Sequence, residues 1–249
     1  MADIRAIESR GTSLVPVATT FDLLTQTVSS YGDRPAISLL GTGSAEDQPL
    51  VLTYTDFFAR VKRCANAFRA LGVGRDDVVA FLLPTLPDAF VTIFAAQIAG
   101  IVCPINHMLA PNHICGLLQA VNAKHLVGFG PDADFEIAQK VTYIRAALPD
   151  LPIVQMGGAT EPGIYNFDDI IDSAPEELSF DPQLTGDTTA SLFHTGGTTG
   201  APKLVRHTHA NEVYASWLMG LGYGFTHQDV VLNGFPLFHV AGVFCHGLA

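Results

Sequence analysis

The chain has 249 residues, 48% of them hydrophobic and 15% charged, enough apolar material for a large buried core. A formal net charge of −11 lacks the basic footprint that neutralises nucleic-acid phosphates, so no nucleic-acid partner is expected. The opening residues MADIRAIESR have mixed charge and no apolar secretory segment, and a cytoplasmic location is expected.

In chain order, residues 53–72 are predicted to form a helix. Phe57, Val61, Cys64, Ala65, Phe68 and Leu71 recur at helical spacing, Thr53 and Asp56 suit a capping box, and Gly72 suits the position after the helix end. VVAFLLP at 78–84 reads as a strand buried on both faces, 86–99 as a helix and 101–105 as another strand. The apolar run 89–105 falls short of the roughly 20 residues needed to cross a bilayer, so it reads as buried helix and strand. Helices are expected at 112–122 and 135–148, and strands at 125–129 and 152–155. Repeated strand–helix units imply a doubly wound, mostly parallel α/β sheet.

Composition shifts at 172–188, rich in Pro, Asp, Glu, Ser and Thr, which reads as a surface connection. The expected organisation is an α/β subdomain over 1–175 followed by the incomplete start of a second α/β subdomain over 176–249. In the second part, strands are expected at 189–193, 203–207 and 229–238, with a helix at 210–221. The apolar ending FHVAGVFCHGLA has no polar tail, and the chain is expected to be the N-terminal part of a longer protein. Cys64, Cys103, Cys115 and Cys245 lie in apolar stretches and read as buried free thiols.

The chemistry concentrates in HTGGTTGAPKLV at 194–205. Gly196, Gly197 and Gly200 allow tight backbone geometry, so successive N–H groups can converge on one concavity. Thr195, Thr198 and Thr199 add hydroxyls, Lys203 adds a point charge, and Pro202 stiffens the exit. Ala201 and Pro202 separate Gly200 from Lys203, and a strand rather than a helix follows, so this is not a Walker A loop. The plainer alternative is a glycine-rich hairpin with no ligand. His207 and His209, like Cys245 and His246, offer no zinc-like set of four ligands and read as solvated or core residues. His107 and His113 read as loop and helix-start residues, and Asp168 and Asp169 have no evident partner.

TGGTTGAPK at 195–203 resembles the signature loop of the adenylate-forming (AMP-binding) superfamily, which includes the acyl-CoA synthetases. The usual glycine after the lysine is Leu204 here, and Gly196 stands where serine is commoner. FPLFHVAG at 235–242 is similar to a second family segment, and residues 52–106 are more weakly similar to the family's N-terminal scaffold. The resemblance implies ATP, magnesium and coenzyme A as cofactors and co-substrate. It implies that Thr195, Gly196, Gly197, Thr198, Thr199, Gly200 and Lys203 hold the phosphates, and that His239 contacts the carboxylate or adenylate; a packed core histidine is the alternative for His239.

The activity implied for a full-length parent is ligation of a fatty or aryl carboxylic acid to CoA through an acyl-adenylate. The isolated chain is expected to be inactive, and a homodimer is compatible with the family. A carrier-protein-loading adenylation enzyme and a non-catalytic phosphate-binding module remain alternatives.

Overall fold

The computed structural model describes residues 15–44, 46–158, 161–195 and 203–248, with only the backbone at positions 245 and 246. The chain enters through α1 (Thr20–Tyr31), where the Thr19 side chain accepts from the Asp22 amide. An antiparallel ribbon follows, β1 (Pro35–Leu39) against β2 (Leu50–Thr53). Next, α2 (Tyr54–Ala70) opens with the expected capping box. The Asp56 amide donates to Thr53 Oγ1 at 3.1 Å, and the Thr53 amide donates back to Asp56 Oδ2 at 3.4 Å. The helix ends at Leu71, and Gly72 follows at φ +84°, a left-handed geometry that favours glycine.

The strand–helix alternation then proceeds through β3 (Val78–Phe81), α3 (Pro87–Ala99), β4 (Ile101–Pro104), α4 (Pro111–Ala120), β5 (Ala123–Phe129), α5 (Ile137–Ala147) and β6 (Ile153–Met156). It continues with β7 (Ile164–Asn166), α6 (Phe167–Asp172), β8 (Thr189–His194), β9 (Leu204–Thr208) and α7 (His209–Tyr223). One seven-stranded sheet runs in the order β7-β6-β5-β3-β4-β8-β9. Its pairs are parallel except β8–β9, which is antiparallel.

Both faces of the sheet are covered. Val79 and Phe81 point into a core shared with α2, α3 and α6, while Val78 and Ala80 point into a second core with α4 and α5. Every residue of β3, β4 and β6 is buried, which is why these strands read as continuous apolar runs rather than alternating ones. In α3 only Asp88 is not fully buried, so the long apolar stretch lies inside the protein. Among the described residues no helix is long and apolar enough to cross a membrane. Cys64, Cys103 and Cys115 are buried free thiols.

Three features depart from the sequence expectations. First, residues 229–238 form no strand. The run is rich in Val and Leu, but a strand needs a ladder partner, and none pairs with it among the described residues; Val230 and Leu232 are exposed. Second, α1, the β1–β2 ribbon, β7 and α6 occupy stretches with no predicted element. Third, the 173–188 connection runs along the surface as expected, but it is also anchored to α2. Asn66, buried on α2, donates from Nδ2 to the carbonyls of Pro175 and Glu177, each at 2.8 Å, and its Oδ1 accepts from the Ser179 amide at 2.9 Å. Arg63 donates to the Ala174 carbonyl and Arg75 to the Gln183 carbonyl. The connection thus carries the chain from one flank of the sheet, at β7, to the other, at β8.

Candidate phosphate-binding site at the carboxyl edge of the sheet

In a parallel sheet the carboxyl ends of all strands lie on one edge, where open α/β sheets place their ligands. Because β4 and β8 are parallel neighbours, the residues that follow them meet there. The Asn106 amide, just beyond β4, donates to His194 Nε2 at 3.0 Å at the end of β8. Accepting at Nε2 leaves the proton of the neutral ring on Nδ1. Burial, reinforced by His113, holds the pKa of His194 below the ordinary histidine value, so the ring stays neutral.

The glycine-rich loop leaves at the next residue. The Thr195 amide donates to the Lys203 carbonyl at 2.9 Å, and His194 pairs with Leu204 in the β8–β9 ladder. The loop therefore starts and finishes at one closed neck, with Thr195 and Lys203 both exposed. Gly196, Gly197, Thr198, Thr199 and Gly200 lie outside the described residues.

A cavity of about 200 Å³ opens beside the neck. Its walls include His194 and Thr195 from the end of β8, Val205 and His207 from β9, and Phe238 and His239 from the second motif segment. Thr195 and His239, predicted as site residues from distant parts of the sequence, thus line one cavity. His239 sits in a turn closed by its own amide donating to the Pro236 carbonyl at 3.1 Å. Its Nδ1 accepts from the Ala241 amide at 3.1 Å, which puts the proton of the neutral ring on Nε2. Past this turn runs a π-helical segment, Ala241–Leu248. Phe244 from that segment packs edge-on to Phe193, which stacks on His207 with ring centres 5.4 Å apart. His207 is therefore part of an aromatic wall, and burial lowers its pKa.

Sequence reading gave no role to the Asn106–His107 turn. While Asn106 holds His194, the His107 ring packs edge-on against Phe238 at 5.7 Å and Phe135 at 5.6 Å. Lys140 fixes the turn by donating to the His107 carbonyl at 2.6 Å. This turn links the loop base to the second motif segment. Nothing in the periodicity of residues 101–110 signals it, because the contact exists only through the parallel pairing of β4 with β8. Among the described residues no group of three or more His, Cys, Asp or Glu side chains is arranged to hold a metal ion.

A mostly parallel sheet covered by helices on both faces, with a histidine-lined cavity at its carboxyl edge, defines a protein of the α/β class. The family model described as AMP-binding enzyme matches residues 24–249, and the chain belongs to that family. It is 33% identical over 250 residues to the marinolic acid–CoA ligase of Pseudoalteromonas sp. (strain SANK 73390), covering 98% of this chain and 38% of that protein. It is 28% identical over 213 residues to the crotonobetaine/carnitine–CoA ligase of Citrobacter koseri (strain ATCC BAA-895 / CDC 4225-83 / SGSC4696), covering 84% of this chain and 40% of that protein. The chain thus spans about two fifths of the length of these curated relatives. Among solved structures, the o-succinylbenzoate CoA synthetase of Bacillus subtilis, in complex with its acyl-adenylate intermediate, aligns with a TM-score of 0.68 at 25% identity, covering 89% of this chain and 51% of that one. An anthranilate CoA ligase in complex with anthranoyl-AMP shares the fold, with a TM-score of 0.73 at 23% identity over 84% of this chain and 38% of that one.

Proposed function

We propose that this chain supplies the phosphate-binding part of an enzyme that activates a fatty or aryl carboxylic acid with ATP and transfers the acyl group to coenzyme A. The observation that carries this reading is the closed neck, where the Thr195 amide donates to the Lys203 carbonyl beside a cavity lined by both Thr195 and His239. In the first step a carboxylate oxygen attacks the α-phosphorus of ATP and pyrophosphate leaves. In the second, the thiol of coenzyme A attacks the acyl carbonyl and AMP leaves. No covalent enzyme intermediate is needed, so the protein's work is positioning and charge stabilisation. The loop amides, the threonine hydroxyls and Lys203 would hold the β- and γ-phosphates, and His239 would orient the carboxylate from Nε2.

Hydroxyl, amide and ammonium donors suit phosphate oxygens rather than a cation. Magnesium would accordingly be held here by the nucleotide's own phosphates and would neutralise their charge. A carboxylic acid as substrate is supported by the CoA ligases named above, and the aromatic and apolar part of the cavity wall suits a fatty or aryl acid. We propose that residues 176–249 begin a second α/β subdomain whose first two strands, β8 and β9, complete the seven-stranded sheet.

Pyrophosphate exchange into ATP, measured with a panel of fatty and aryl acids on the full-length protein, tests the assignment. Lys203→Ala should lower exchange by roughly 10²-fold, the scale of losing one transition-state donor; unchanged kinetics would remove Lys203 from the site. The 249-residue chain alone should give no exchange, and robust turnover would refute its reading as a fragment. Acyl transfer to CoA, compared with transfer to a carrier protein, separates the ligase from a loading enzyme. Phosphate binding without exchange would mark a non-catalytic module.

A further inference from the structure

Behind β8 lies a chain of buried polar side chains that the reaction described above does not use. Ser191 on β8, Glu212 and His209 on α7, Gln97 on α3 and Thr20 on α1 are each at most 1% exposed. Ser191 Oγ is hydrogen-bonded to Glu212 Oε1. Gln97 Nε2 donates to Glu212 Oε2 at 2.6 Å, and Thr20 Oγ1 donates to Gln97 Oε1 at 2.8 Å. Thr20 Oγ1 also lies 2.9 Å from His209 Nδ1. His209 Nε2, at the end of the chain farthest from Ser191, finds no hydrogen-bond partner, whereas the links from Ser191 through Glu212 and Gln97 to Thr20 are all made, and buried groups so linked favour one arrangement.

The network meets β8 where its backbone pairing is thinnest. Val102↔Ser191 is the registered pair joining β4 to β8, and the β8–β9 ladder shifts register between Thr189 and Ser191. Three residues further on stands His194, followed by the neck at Thr195. We infer that Glu212 is a positioning residue for the neck, at Thr195 and Lys203, of the candidate loop: by bridging Ser191 to Gln97, it sets where β8 stands against α3 and α7. The inference rests on the reading of that loop as the phosphate cradle.

Burial pushes the Glu212 carboxyl up to about 8, against the lowering effect of Ser191 and Gln97, so it is mostly protonated at neutral pH. The Gln97 amide group can only donate, so the acid proton belongs on the oxygen facing Ser191. A neutral amide can copy that arrangement, its NH2 toward Ser191 and its carbonyl toward Gln97.

The test compares Glu212→Leu, Ser191→Ala and Glu212→Gln in the full-length protein, by steady-state kinetics and by amide hydrogen exchange at Phe193 and Thr195. Glu212→Leu and Ser191→Ala should raise KM for ATP about tenfold with KM for the acid little changed, the signature of a misplaced phosphate site. Both should also speed exchange at the two amides, and Glu212→Gln should restore both readouts. Wild-type KM for ATP and wild-type exchange in Glu212→Leu would overturn the proposal, as would a glutamine variant as impaired as the leucine one. If Glu212→Leu does not fold, Ser191→Ala decides by the same two readouts. If the wild-type protein turns over no acid with ATP, the functional reading fails by itself, and the exchange comparison still decides whether Glu212 positions the strand.

Discussion

Gly100, between α3 and β4, is constrained by the atoms packed over it. A Cβ there would stand 2.5 Å from the Asp77 carbonyl oxygen and 2.7 Å from that of Gly74, both backbone atoms that cannot swing aside. Gly100→Ala should therefore destabilise the fold by roughly 1–3 kcal/mol through overpacking; an unchanged Tm would show that the turn relaxes. Such a site looks like an ordinary helix-ending glycine in sequence, because the clash comes from residues 74–77 folded over it. Arg60 shows the same gap. Asp168 has no evident partner in sequence, yet Arg60 reaches it at 2.7 Å while also gripping Asp88 at 2.5 Å, joining α2, α3 and α6. Pairs so distant along the chain carry no local pattern by which to find them.

At the scale of elements, what was legible is what declares itself locally. The capping box of α2 announces its helix, and Thr53→Ala should cost about 1 kcal/mol, read as a fall in the denaturation midpoint; no change would mean that the Tyr54–Ala70 helix is held by packing alone. Strands β3 to β6 and the β8–β9 hairpin were legible because burial on both faces, or a glycine loop between apolar runs, leaves a plain mark. The ribbon β1–β2 was not, since neither strand contains a fully buried residue or alternates cleanly, and β7 has only three residues. The opposite error, at residues 229–238, came from residue types that favour strands without an available edge to pair with. For the candidate site, the two motif segments stand out in the sequence, but the Asn106–His107 turn and the Glu212 network do not, because both arise from which strands and helices end up adjacent.

Across the whole molecule, two buried groups shape stability against pH in opposite senses. Burial lowers the His209 pKa to about 4, so its contribution is present above the unfolded value near 6.5 and is lost as pH falls through about 4. Glu212 is raised to about 8, so its contribution is present below the unfolded value near 4.5 and is lost as pH rises through about 8. Between pH 4.5 and 6.5 the two trends oppose each other. Stability from this pair should peak in that window, declining below it through His209 and above it through Glu212. Thermal denaturation across pH 4–9 checks this. Glu212→Gln should flatten the alkaline decline, by an amount on the order of a few kcal/mol, and an unaltered alkaline limb would place its origin elsewhere.

The strand order has a consequence for how the chain assembles during synthesis. As the polypeptide emerges from the ribosome, β3 starts the sheet, and β4, β5, β6 and β7 can each pair with a neighbour already made. The next strand cannot extend the edge at β7. It must travel back along the strap over α2 and seat Ser191 beside Val102, made long before. Non-local pairing of this kind is slow, because the closure entropy is spent before the contacts form. Strands β8 and β9 are thus set in place last, and a partly synthesised chain can carry most of the sheet without the residues of the candidate site.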